Sequence, residues 1–121
     1  MPEYYQAVRD IVGGLEAARQ FTRLFLVPGV YHCGGGYIPY EEDFLGAMVN
    51  WVERQQAPVQ VVAAARLQDG TLRRRPLFAY PERARYIKGD VNDSHSFVGM
   101  TPAREPDDHY DWVGASPRSR Q

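Results

Sequence analysis

Apolar side chains recur at helical spacing from the first residues of the chain. Tyr4, Val8, Ile11, Val12 and Leu15 fall at that spacing, which predicts an amphipathic helix over residues 3–12. Gly13-Gly14 interrupts it, and a short further turn is expected over Leu15–Arg19. The period then changes. "TRLFLV", residues 22–27, is a compact apolar run ended by Pro28-Gly29, as a strand would be. A glycine-rich loop follows to about Tyr40. Residues 41–54, "EEDFLGAMVNWVER", return to helical spacing, with Phe44, Leu45, Met48, Val49, Trp51 and Val52 on one stripe. Three acids are expected in its first turn, where they suit the positive end of the helix dipole.

Ala57-Pro58 stops that helix, and "VQVVAAARL" at residues 59–67 is almost continuously apolar. Gln68-Asp69-Gly70 separates it from a second extended run, "TLRRRPLF", and Asp-Gly between two such runs predicts a hairpin. Pro76 lacks an N–H, so it confines the second arm to an edge or ends it. Beyond Tyr80 the pattern thins. From Thr101 the chain is polar and proline-rich, and residues 101–121 are expected to be a disordered tail after a folded segment over 1–100. There is no internal repeat. Helix, strand, loop, helix, strand, strand, tail is the order of an α/β segment, with too few strands before the loop for a complete doubly wound sheet.

Composition narrows the partners. The 121 residues suffice for one globular domain. Fourteen basic against fifteen acidic residues leave a net charge of −1, so no drive toward nucleic acid or an anionic membrane is expected. Arg66, Arg73, Arg74, Arg75 and Lys88 lie in neutral surroundings and read as a solvated face. No apolar run approaches the ~20 residues of a membrane span. The first ten residues contain acids and no apolar signal core, so no secretion peptide is expected, and the compartment is not fixed by the chain. One cysteine cannot form an internal disulfide, and four-ligand zinc would need more thiols and histidines.

The chemistry concentrates in "VPGVYHCGGGY", residues 27–37. His32 and Cys33 are neighbours, so an extended backbone sends them to opposite sides, a poor arrangement for one metal ion. Gly34-Gly35-Gly36 could cradle phosphate, but acids follow where a phosphate loop has Lys and Ser or Thr. A Cys33 nucleophile needs a base brought from elsewhere in the chain, and the plainer reading is a small buried side chain. His32 on a strand-to-helix loop also fits a catalytic triad that runs in chain order Ser, Asp or Glu, His. A solvent-exposed loop histidine is the bland alternative.

Four phrases in order, "YYQAVRDIVGG", "FTRLFLVPGVYHCGGG", "WVERQQAP" and "RPLFAYPERARYIKGDVNDSHSF", resemble the C-terminal part of the tannase and feruloyl esterase family over residues 3–97. "FLVPGVYHCGGG" is close to the family's VPGMGHCGGG. The resemblance implies a partial α/β-hydrolase: the C-terminal strands and helices of a doubly wound sheet, with the lid and N-terminal half absent. It implies hydrolysis of aromatic-acid esters in the complete enzyme, with His32 as the triad histidine. Cys33 matches a family cysteine whose usual partner directly precedes the nucleophilic serine.

No Gly-x-Ser-x-Gly or Cys-Ser-x-Gly-Gly occurs here, and Ser94, Ser96, Ser116 and Ser119 all follow His32. The family's aspartate would precede a stretch like "PEYYQAV". The expectation is therefore a chain that is inactive alone, with self-association or complementation by an N-terminal portion. The resemblance places the lid and its calcium site upstream, so no cofactor is expected in this chain. Phe78 and Gly99 stand where the family commonly has two cysteines, and Val30-Tyr31 replaces Met-Gly before the histidine. Family members are typically secreted or periplasmic. An autonomous binding or structural module derived from the family is the alternative.

Overall fold

The computed structural model describes residues 2–33, 35–36 and 40–104. They mix helix with short strands, an α/β composition, in two compact units built on residues 2–24 and Phe25–Pro102. In the first unit α1, Pro2–Ile11, forms where the periodicity predicts it, and α2 is Leu15–Ala18. The break between them falls on Gly13 and Gly14, whose φ of 97° and 116° only glycine adopts without strain. Thr22–Leu24 form no strand. There Arg23 donates to the carbonyls of Arg19 and Thr22, and its guanidinium pKa is lowered by burial first and by the Arg19 charge second.

The second unit is organised by one hairpin. Strands β1, Gln60–Arg66, and β2, Leu72–Phe78, pair antiparallel with Val61 opposite Leu77 and Arg66 opposite Leu72. Val61, Ala63 and Ala65 alternate into the core with Leu77. The turn is as the Asp-Gly pair predicts: Gly70 N–H donates to Leu67 O and Leu67 N–H to Thr71 O, both at 2.9 Å. Gly70 takes φ 84°, the left-handed residue of a three-residue hairpin loop. Asp69 accepts from Thr71 N at 2.9 Å, and that bond is the main cause holding its carboxyl below the usual range.

Pro76 sits inside β2 opposite Val62, at no cost to the ladder. Arg74 N–H points away from β1, donating to Asn92 O at 2.8 Å. Pro76, two residues on, turns its missing N–H to that same outer side.

Helix α3, Phe44–Arg54, begins three residues later than the acids suggest. They are not its first turn. Asp43 is the N-cap and accepts from Gly46 N at 2.7 Å, while Glu41 exchanges two backbone hydrogen bonds with Ala64. The single apolar stripe also divides. Phe44 and Trp51 are half-buried, with the Phe44 ring 5.4 Å from Phe25. Leu45, Met48, Val49 and Val52 are exposed.

"TRLFLV" is not a regular strand. Within it only Phe25 pairs, in one antiparallel bridge to Ala79. A strand needs a neighbour along its length, and among the described residues no other chain segment supplies one. The pairings present are all antiparallel, so the sheet of a doubly wound fold is not among the described residues.

Past Tyr80 the structure is richer than the sequence pattern. Strands β3, Arg83–Tyr86, and β4, Phe97–Met100, form a second antiparallel pair, preceded in β4 by a 3-10 turn at Ser94–Ser96 capped by Asp93. The arginines of β2 are not simply solvated. Arg73 Nε donates to Asn92 Oδ1 at 2.9 Å, Arg75 donates to Val91 O, and the Arg75 guanidinium lies 4.3 Å from the Phe97 ring centre. They tie residues 91–97 to the hairpin. Thr101–Arg104 form no regular element, and the rest of the expected tail lies outside the described residues.

The two positions where the resemblance implies cysteines are in contact. A Cβ on Gly99 would stand 2.8 Å from Phe78 Cδ1 and 3.0 Å from Cε1. The Phe78 ring fills that space.

Candidate functional site

Residues 25–41 leave the β1–β2 hairpin and return to it. Phe25 bridges Ala79 just past β2, and Glu41 bridges Ala64 in β1. The excursion between these anchors carries His32. Pro28-Gly29 turns the chain, with Gly29 at φ 80°. Val30 then bridges Gly36, and Tyr31 N–H donates to Gly35 O at 3.2 Å. His32 and Cys33 lie in the turn so closed.

Both are exposed, and Cys33 is a free thiol. The plainer sequence reading of Cys33 as a buried filler is thus corrected: the tight turn leaves it outside the core. Among the described residues no carboxylate or hydroxyl contacts the His32 ring. The described histidine that does meet a carboxylate is His95, with Nδ1 2.9 Å from Asp93 Oδ1. That contact belongs to the 3-10 cap, where bonds from the His95 backbone and ring lower the Asp93 pKa. Ser96, next to it, is buried.

Gly35 and Gly36 have a structural reason that needs no phosphate. Gly36 has φ 114°, and a Cβ there would overlap Gly29 O and stand 2.9 Å from Val30 Cα. Gly35 has φ 73°. The run of glycines signals this close approach, although the sequence does not say which backbone approaches.

An apolar groove of about 580 Å³ runs along the base of the loop. Leu26, Pro28 and Gly29 form one wall and Pro76, Leu77 and Phe78 another. No three or more His, Cys, Asp or Glu side chains among the described residues are placed to hold a metal. No described helix is long and apolar enough to cross a membrane.

The arrangement defines a class: an α/β segment that presents an exposed imidazole on an anchored, glycine-closed loop. The family model "Tannase and feruloyl esterase" matches residues 2–100, and the chain belongs to that family of ester hydrolases. It is 40% identical over 108 residues to the mono(2-hydroxyethyl) terephthalate hydrolase of Piscinibacter sakaiensis, covering 83% of this chain and 17% of that protein. A probable feruloyl esterase of Arthroderma benhamiae is 42% identical over 101 residues, 78% of this chain and 18% of that one. The crystal structure of feruloyl esterase B from Aspergillus oryzae superposes with a TM-score of 0.68 at 29% identity, over 80% of this chain and 22% of the other. The chain thus spans about a fifth of the length of these relatives.

Proposed function

We propose that this chain is the C-terminal, histidine-bearing part of an α/β-hydrolase that cleaves esters of aromatic acids. Its strands and helices extend a doubly wound sheet whose other strands, lid, serine and aspartate belong to an N-terminal portion. The observation that supports this is His32, exposed at the tip of a hairpin anchored at Phe25 and Glu41, inside a match to the family over residues 2–100.

In the complete site the His32 ring takes the proton of the serine hydroxyl as it attacks the ester carbonyl. It then donates that proton to the departing alcohol, and the cycle repeats with water. The aspartate fixes the ring's tautomer. Exposure of His32 on this side is what such a division of labour needs, because the other triad members approach from outside the chain.

The chain alone is expected to turn over no aromatic-acid ester. Mixing it with, or fusing it behind, the portion of the Piscinibacter sakaiensis hydrolase that precedes the matched region should restore turnover. His32→Ala should then remove activity by about 10³-fold or more. Turnover by the chain alone that disappears in His32→Ala would sink the reading.

A further inference from the structure

We infer that Gly36 is a positioning residue for His32: it is the pinch that closes the hairpin and aims the imidazole. This rests on the reading of His32 as general base. Three observations converge on Gly36. It faces Val30 in the bridge that closes the loop, directly beyond the Tyr31 N–H to Gly35 O bond. It takes φ 114°, a conformation side chains rarely adopt. The space where its Cβ would stand is occupied by backbone, Gly29 O and Val30 Cα, and not by the end of a flexible side chain. Backbone on both sides of the contact leaves no rotamer to move aside. A side chain at residue 36 must therefore push the backbone of residues 29–30 away from that of residues 35–36.

Other glycines provide the contrast. Gly29 and Gly70 have φ of 80° and 84°, yet a Cβ on either would meet nothing within 4 Å. Alanine there adds strain without an obstacle, and Gly70 lies in the β1–β2 turn, outside the His32 loop. Gly36 combines both penalties at the neck of the loop that carries His32. Opening that neck swings the turn on its two anchors, and a displacement of about 1 Å in a general base can cost about 100-fold in rate.

The test compares Gly36→Ala with Gly70→Ala in the full chain. In isolation, imidazole carbon–proton NMR should show the His32 signal shifted or broadened in Gly36→Ala, with His95 unchanged. The rate of Cys33 modification by a small disulfide reagent should change several-fold. Gly70→Ala should alter neither. Joined to the upstream portion of the hydrolase, Gly36→Ala should lower kcat by 10- to 100-fold with KM within about twofold. Tyr31→Pro, which deletes the N–H given to Gly35, should reproduce the same changes without any side chain at 36.

His32 and Cys33 signals that match the parent in Gly36→Ala would overturn the assignment. So would global unfolding of that variant, because the role claimed is local to the loop. If His32→Ala leaves the joined enzyme fully active, the general-base reading fails, whereas the NMR and thiol measurements still decide whether Gly36 sets the loop.

Discussion

Gly99 and Phe78 occupy one space in complementary shares. The ring stands where a Cβ on residue 99 would go, so Gly99→Ala forces the ring, or Glu82 beside it, to move. Overpacking of this kind costs about 1–3 kcal/mol, and a lowered unfolding midpoint would register it. The family resemblance places cysteines at both positions, and the contact explains how this chain does without them. Phe78→Cys with Gly99→Cys is expected to oxidise to an intramolecular bridge stabilising by about 3 kcal/mol. One free thiol, Cys33, should then remain by thiol count; three would show that the two positions cannot be joined. At this scale the sequence is legible where a side chain belongs to a recognisable phrase. His32 stands out by its phrase. The pinch at Gly36 does not, because it depends on a bridge to Val30 that no local pattern encodes.

Helix α3 has no fully buried residue, so beside the contact of Phe44 with Phe25 local terms carry much of its start. The Asp43 carboxylate on Gly46 N is the main one. Asp43→Ala should cost about 1 kcal/mol of helix stability. Amide exchange at Leu45–Ala47 should quicken while β1 and β2 stay protected; Asp43→Asn should keep most of the protection. Elements were readable to the degree that their stabilising forces are local. The 3.6-residue period of α1 and the Asp-Gly turn between β1 and β2 are of that kind. The acids before α3 were legible as a helix start but not as a cap, which shifted its boundary. "TRLFLV" reads as a strand by composition, but pairing is not a property of one segment, and among the described residues only Phe25 finds a strand partner. Strands β3 and β4 escaped for the opposite reason. All four residues of β3 are exposed, so no apolar alternation marks it, and arginines supply much of its sequence.

Among the described elements, helix α3 leaves an apolar stripe uncovered. Leu45, Met48, Val49 and Val52 follow i, i+3, i+4, i+7 along α3, and Leu45 and Val52 are 77% and 74% exposed. Such a stripe recruits another surface. Without an N-terminal portion, copies of the chain should associate, with average mass by light scattering rising with concentration. Leu45→Lys with Val52→Glu should hold the mass at 13.8 kDa without loss of helix by circular dichroism. A parent chain that stays monomeric at every concentration would argue against this and for an autonomous module. Finally, the tight turn at Gln68–Gly70 has a meaning in time. Hairpins of this kind close within about 1–10 μs, far faster than contacts between distant segments are found. The anchors for residues 25 and 41, at Ala79 and Ala64, come into being with that closure. During synthesis the histidine loop therefore leaves the ribosome before the frame that shapes it, and takes its form only once residues 60–79 have followed.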